Sequence, residues 1–203
     1  IRSQTGIQRG AVSVASVAVE LAEKIFDDLA GREVMVLGAG DTSEKAARAL
    51  LSRGARSVIV SNRSYDRAAQ LAAELGGRAV HFDDWAEDFP RVDIIVSSTA
   101  APHHVIDLPR LAPLMVARHG RPLLLVDIAV PRDVDPAVTQ LPDVYLYNID
   151  DLQAIADDHL RQRRAELARC EGIIRERAQA LVAGTGGRPA GTLPHGLGEA
   201  VSG

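Results

Sequence analysis

The chain has 203 residues, a net charge of −4 at pH 7, a hydrophobic fraction of 46% and one cysteine. This length fits one domain with an extension or two small domains, and the acidic balance argues against a dedicated surface for nucleic acid or membrane. No apolar run approaches the roughly 20 residues that span a bilayer, and the single cysteine excludes an internal disulfide and is typical of a cytoplasmic protein.

Apolar residues at helical spacing predict a first helix over residues 11–29. Strands and helices then alternate along the chain. The predicted strands are 34–37, 58–61, 79–82, 92–97, 123–127 and 144–147, with helices at 44–53 and 66–75. Short, continuous apolar strands between helices are typical of a parallel sheet covered on both faces. The predicted fold class is α/β: a doubly wound, mostly parallel Rossmann-type sheet with a long C-terminal α-helix.

The long helix is predicted over residues 148–183, which contain no proline. Asn148 can cap its start, and apolar residues including Leu152, Leu167, Ile174 and Leu181 fall near one face. At 1.5 Å per residue it would be about 50 Å long, so we expect a partner chain to cover this face. Residues 184–203 are rich in glycine and proline and predict a flexible tail.

The first predicted strand ends at a glycine-rich turn, which predicts a nucleotide-binding loop. The residues of this turn are Gly38, Ala39, Gly40, Asp41, Thr42 and Ser43. Two glycines allow a tight turn and a close approach to a pyrophosphate, whose charge would lie at the N-terminus of the following helix. Ser43 occupies the position of the third glycine in this pattern. The alternative is an ordinary strand-to-helix turn that binds no nucleotide.

A second cofactor-binding segment is predicted where the second strand ends, at Asn62, Arg63 and Ser64. NAD-binding folds place an acidic residue here, on the ribose. An arginine at this point favours a 2′-phosphate, and hence NADPH over NADH, because a guanidinium binds phosphate with charge-assisted hydrogen bonds. The alternative is a solvated surface arginine.

Further cofactor contacts are predicted at the ends of two later strands, from Ser98, Thr99 and Ala100 and from Asp127. Asp127 and Arg132 can face the nicotinamide, or can form a local ion pair that fixes their loop. We expect no metal site at His103 and His104, because adjacent side chains diverge and no third ligand is clustered with them. Cys170, in the long helix, is interpreted as a packing residue.

Six segments occur in an order that resembles the NADPH-binding domain of the glutamyl-tRNA reductase family. They are residues 10–22, 38–40, 62–64, 98–102, 127–133 and 147–152. The resemblance covers residues 4–183, and its last two segments are far more specific than the glycine turn. It implies a reductase of tetrapyrrole biosynthesis in which a cysteine forms a thioester and NADPH reduces it to glutamate-1-semialdehyde.

The resemblance also implies a domain organisation. Residues 1–30 would link to an N-terminal catalytic domain, 31–147 would bind NADPH, 148–183 would form the spinal and dimerisation helix, and 184–203 the tail. Because the chain begins at Ile1 and has no equivalent of the catalytic cysteine, we expect a piece of the enzyme without catalytic residues, inactive alone. The implied partners are a second copy through the long helix, tRNA through the missing domains, and glutamate-1-semialdehyde aminomutase.

Two other functions remain open at this point. A shikimate-dehydrogenase-like reductase has a similar cofactor domain, but it needs a lysine–aspartate pair in a preceding substrate domain. The only lysines here, Lys24 and Lys45, lie in predicted helices. The non-enzyme alternative is a stand-alone module that binds NADP or promotes oligomerisation through its long helix.

Overall fold

The structure is a computed structural model that describes residues 13–185, without the side chains of Ser57 and residues 182–185. Residues 11 and 12 of the predicted first helix, and residues 186–203 of the predicted tail, lie outside the described residues. The chain divides into two compact units, Ile1–Leu160 and Arg161–Gly203.

Six α-helices and six strands are described in the chain. The helices are α1 (Val14–Phe26), α2 (Asp41–Ser52), α3 (Tyr65–Leu75), α4 (Trp85–Asp88), α5 (Leu108–Val116) and α6 (Ile149–Thr185). The strands are β1 (Glu33–Leu37), β2 (Ser57–Asn62), β3 (Arg78–His81), β4 (Val92–Ser97), β5 (Leu123–Asp127) and β6 (Val144–Asn148). All six predicted strands are confirmed within two residues at each end.

The strands form one parallel sheet in the order β3-β2-β1-β4-β5-β6. Chain order reverses between β1 and β4, so the two halves of the sheet wind in opposite directions from its centre. The carboxyl ends of β1 and β4 flank the crevice in which open α/β sheets bind ligands. The doubly wound sheet predicted from the sequence is therefore confirmed.

Side chains of β1 alternate between two apolar cores, one on each face of the sheet. Val34 and Val36 join the core that contains α1, α2, α3 and the start of α6. Met35 and Leu37 join the core that contains α4 and α5. Burial on both faces explains why this strand is a continuous apolar run without polar alternation.

Helix boundaries differ from the prediction where capping decides them. Helix α1 starts after Ser13, whose side chain accepts a hydrogen bond from the Ser16 amide, and it ends at Phe26 instead of residue 29. Helix α2 starts at Asp41, three residues before its predicted start. Helix α5 was not predicted, because Pro109 and Pro113 interrupt the apolar spacing of this segment.

The predicted cap of the long helix is confirmed at Asn148. Its Oδ1 accepts hydrogen bonds from the amides of Asp150 at 2.8 Å and Asp151 at 3.2 Å. In the first unit, Leu152 and Ala156 on this helix are buried. In the second unit, Leu167 and three other large apolar residues of the helix are exposed. Across the described residues, no helix combines the length and apolar character needed to cross a membrane.

A buried arginine, Arg118, ties together the amino ends of the sheet. It is 1% exposed, and its guanidinium donates to the carbonyl oxygens of Phe89, Val92 and Pro122. The Asp93 carboxylate lies 3.6 Å away, while burial lowers the pKa of Arg118. Nothing in the sequence distinguished this arginine from exposed ones, because its hydrogen-bond acceptors are backbone carbonyls and Asp93 is distant in the sequence.

Asp88 provides a test of stability against pH. Burial acts to raise the pKa of this carboxyl, but hydrogen bonds from Arg78 and Arg91 outweigh burial and lower the pKa. A carboxyl whose pKa is lower in the folded than in the unfolded state stabilises the fold at pH values above its unfolded pKa. This stabilisation is lost as the pH falls through the folded pKa. We expect Asp88→Asn to reduce the free energy of unfolding at pH 7 by about 1–2 kcal/mol.

Urea unfolding of this variant and the wild type should give a difference that shrinks as the pH drops below about 4. Asp84→Asn is the control, since Asp84 is exposed and its side chain does not cap α4. A difference for Asp88→Asn that stays constant down to acid pH would contradict the assignment.

Candidate functional site

The predicted glycine turn lies at the centre of the carboxyl edge of the sheet. Gly38 follows β1 with φ +93°, and its amide donates to the Ser61 carbonyl at 2.8 Å. A Cβ atom on Gly38 would lie 2.3 Å from the carbonyl oxygen of Ser98. Only glycine fits, because both the backbone conformation and the neighbouring chain exclude a side chain.

Ser43 closes this turn in place of a third glycine. Its hydroxyl donates to the Gly40 carbonyl at 2.8 Å and accepts from the Gly40 amide at 3.2 Å, and the residue is fully buried. Gly40 itself has no side chain to cap the first turn of α2, and Asp41 and Thr42 are exposed there. The positive end of the helix is therefore presented towards the crevice, as an anion site requires.

Arg63 lies beside the turn, directly after β2. The side-chain amide of Asn62 donates to the Ser64 carbonyl at 3.2 Å and fixes the segment. Arg63 is exposed. Among the described residues, its guanidinium makes no hydrogen bond and no ion pair. An arginine with no internal partner at this position is available to a ligand.

A cavity of about 330 Å³ opens at this edge of the sheet, on the face covered by α4 and α5. It is lined by Arg63, Phe82, Asp83, Trp85, Ala86, Ala101, His103, Val105, Arg110 and Leu114. Its size and its mixture of aromatic and charged side chains are typical of a small-molecule site. We call it the α4–α5 cavity.

Arg67 is a candidate that the sequence reasoning missed. It lies in the first turn of α3, four residues after Arg63, and lines a groove with Ala39 and Asp41 of the glycine turn. The available signal was its place in the first turn of the helix that directly follows the predicted segment of residues 62–64, since a helix N-terminus favours anions.

Two buried carboxylates hold the loops on the other side of β1. Asp133 is fully buried and accepts hydrogen bonds from the Ser97 hydroxyl at 2.6 Å and from the Thr99 amide at 2.7 Å. The Thr99 hydroxyl also donates to Asp133. The turn of residues 97–99, which lies against Gly38, is thus positioned by a residue 34 positions away. The sequence prediction did not include Asp133.

Asp127, a predicted cofactor contact, has a structural role within its own loop. It is 1% exposed, and its carboxylate accepts hydrogen bonds from the amides of Ala129, Asp133 and Val134. Burial raises the pKa of Asp127, against the effect of these three bonds. The alternative of a local ion pair with Arg132 is not what the structure has, because Arg132 pairs with Asp150. Asp127 therefore fixes its loop through backbone amides, and its contact with the cofactor stays a prediction.

The remaining predicted residues lie along the same edge. Ser98 faces the glycine turn, with its hydroxyl 3.0 Å from the position of a Cβ on Gly40, and Ala100 is exposed. His103 lines the α4–α5 cavity. In the described part of the chain, no three histidine, cysteine or acidic side chains are grouped as a metal site.

The family of the chain follows from a match over residues 20–155 to the family described as Shikimate / quinate 5-dehydrogenase. The chain belongs to this family. The resemblance to glutamyl-tRNA reductases is confirmed by curated relatives from Akkermansia muciniphila, 48% identical over 87% of the chain, and Moorella thermoacetica, 48% identical over 89%. The chain spans 52% and 41% of the lengths of these two relatives.

Solved structures agree with this assignment. Glutamyl-tRNA reductase from Methanopyrus kandleri matches with a TM-score of 0.76 and 43% identity, over 91% of this chain and 46% of that one. The nucleotide-binding domain of the Thermoplasma volcanium enzyme matches with a TM-score of 0.59 and 18% identity, over 76% of this chain and 99% of that domain. At 18% identity the second match supports the fold alone.

The requirement for glycine at position 38 can be tested by substitution. Gly38→Ala should lower the free energy of unfolding by more than about 2 kcal/mol, because it combines backbone strain with a clash against a carbonyl. Gly172→Ala is the control, since Gly172 lies inside α6 with no atom within 4 Å of an added Cβ. Urea unfolding should show a loss only for Gly38→Ala; equal stability of the two variants would contradict the close approach.

Proposed function

We propose that this chain is the NADPH-binding part of a glutamyl-tRNA reductase, the enzyme that reduces glutamyl-tRNA to glutamate-1-semialdehyde in tetrapyrrole biosynthesis. The curated relatives that carry this name align with most of the chain at nearly half identity. The observation that carries the cofactor assignment is Arg63, an unpaired arginine among the described residues at the end of β2. When bound, NADPH supplies the hydride for the reduction.

The residues present fit a phosphorylated dinucleotide. The turn of Gly38, Ala39 and Gly40 and the start of α2, at Asp41–Ser43, would hold the pyrophosphate at a helix N-terminus. Asn62, Arg63 and Ser64 would bind the adenosine ribose, with Arg63 on its 2′-phosphate and Arg67 as a second cation nearby. The adenine would occupy the α4–α5 cavity beside Arg63.

The nicotinamide half would lie on the other side of β1, towards β4 and β5. Ser98, Thr99 and Ala100 form the edge of the crevice there, and Asp127 supports it indirectly through the loop that carries Asp133. These residues position and bind, and we assign none of them a step in the chemistry. The acyl group would come from a part of the reductase outside this chain.

We also propose that the chain pairs with a second copy through α6. Leu160, Leu167, Ile174 and Leu181 recur every seven residues, a spacing that forms the seam between two helices. Leu167, Ile174 and Leu181 are 58%, 67% and 72% exposed in the single chain. A paired helix would bury this stripe, which is the physical support for a homodimer.

The other partners belong to the whole reductase. Glutamyl-tRNA would be bound by domains outside this chain, in agreement with the acidic balance of the chain. An aminomutase for glutamate-1-semialdehyde is proposed as a partner because an amino-aldehyde product is reactive.

We place the protein in the cytoplasm, where the exposed thiol of Cys170 would stay reduced. The domain boundaries after residues 30, 147 and 183 remain part of this proposal.

The cofactor assignment is tested by titration with NADPH and with NADH. Arg63→Ala should weaken NADPH binding by about 10- to 100-fold, the effect of losing a charge-assisted hydrogen bond to phosphate, and leave NADH binding unchanged. Arg56→Ala, at an exposed arginine away from the cavities described, is the matched control. An unchanged preference in Arg63→Ala would show that Arg63 does not bind the 2′-phosphate.

Pairing through α6 is tested by sedimentation of the 203-residue chain over a range of concentrations. The double variant Leu167→Asp/Ile174→Asp should be monomeric, because two carboxylates cannot be buried in an apolar seam. Ala165→Asp/Gln179→Asp places the same charges on the opposite side of the helix and should still dimerise. A wild-type chain that stays monomeric at every concentration would refute the pairing.

A further inference from the structure

The α4–α5 cavity contains two charged side chains that the cofactor assignment does not use, Asp83 and Arg110. They lie on its lining with the aromatic residues Phe82 and Trp85. A 2′-phosphate accounts for Arg63, but neither a phosphate nor an apolar ring face accounts for a carboxylate in the same cavity. A ligand that used both side chains would present a hydrogen-bond donor to Asp83 and an acceptor to Arg110.

Arg110 is held in place before any ligand binds. Its Nη1 donates to the carbonyl of Val105 at 3.3 Å, and its Nε lies 3.8 Å from the carboxylate of Asp107, the cap of α5. The Nη2 group has no contact of this kind among the described residues and can donate into the cavity. A guanidinium anchored on one side loses little conformational freedom when it binds a ligand on the other.

Asp83 lies between β3 and α4 and lines the cavity from a different segment than Arg110, which lies on α5. Among the described residues, neither a hydrogen bond nor an ion pair was found for its carboxylate, which leaves both oxygens as acceptors. The cavity thus offers an acceptor from one segment and an anchored donor from another. The edge of adenine is complementary to this pair, because its 6-amino group is a donor and the neighbouring ring nitrogens are acceptors.

We propose that Asp83 and Arg110 select the base of the dinucleotide, with Asp83 accepting from the 6-amino group of adenine and Arg110 donating to a ring nitrogen. The proposal rests on the NADPH-binding function above and adds specificity for a 6-aminopurine. Hypoxanthine carries a carbonyl oxygen at position 6, which would face the Asp83 carboxylate as a second acceptor. The chain should therefore discriminate against the hypoxanthine form of the same cofactor.

Trp85 lines the cavity and is the single tryptophan of the chain, so its fluorescence can report ligand binding there. NADPH should quench the fluorescence of Trp85, and titration gives a dissociation constant without any enzymatic turnover. The analogue is nicotinamide hypoxanthine dinucleotide phosphate, reduced, which differs from NADPH only in the base. We expect it to bind at least tenfold more weakly than NADPH, the effect of replacing one charge-assisted hydrogen bond by a repulsion.

Two variants test whether Asp83 and Arg110 are responsible for the preference for NADPH over the hypoxanthine analogue. Asp83→Asn should bring the two dissociation constants to within about threefold, because an amide can rotate to accept from adenine or donate to hypoxanthine. Arg110→Met should weaken both ligands, since the N7 acceptor next to position 6, to which Arg110 would donate, is present in both bases. Asp84→Asn and Arg56→Met are the matched controls and should keep the wild-type ratio. Thermal unfolding of each variant checks that the fold is intact.

The outcomes separate this inference from the function on which it rests. Equal binding of NADPH and its hypoxanthine analogue by the wild-type chain would overturn the base selection and leave NADPH binding in place. A preference that persists in Asp83→Asn would overturn the role of Asp83. The absence of any NADPH binding, by fluorescence and by calorimetry, would instead refute the cofactor assignment itself.

Discussion

The carboxyl edge of the sheet depends on two buried carboxylates in series. Asp127 binds the amides of the loop after β5, and Asp133, carried by that loop, binds the turn after β4. The carbonyl oxygen of Ser98 in this turn then limits the space at Gly38. Three loops from three strands thus have their relative positions set by this close approach and by hydrogen bonds to buried carboxylates. Such bonds are strong in a buried environment and costly to break.

This arrangement separates support from binding. The carboxylates of Asp127 and Asp133 are buried and fully engaged, while Arg63 and Asp83 are exposed and have no partner among the described residues. The first pair forms the scaffold and the second pair remains available to a ligand. A rigid edge with a few unpaired side chains is the arrangement expected of a site that binds one cofactor in one orientation.

The sequence predicted the sheet well because burial on both faces leaves a local signature. Each of β1, β4 and β5 is a continuous apolar run, and the glycine turn and Arg63 follow strands directly. Helix α5 was hidden by its two prolines. The roles of Asp133 and Arg118 could not be predicted, because their partners are distant in sequence or are backbone atoms. The sequence around Asp127 does not distinguish a residue that contacts a ligand from one that supports a loop.

The contact at Gly38 has a consequence for how this position can vary. The obstructing atom is a backbone carbonyl, which every amino acid at position 98 would carry. No substitution of the neighbour can make room for a side chain, and the obstruction would yield only if the turn moved away from Asp133. Position 38 is therefore closed to all other residues unless several distant positions change together, so exchange there cannot proceed through single steps that each preserve the site.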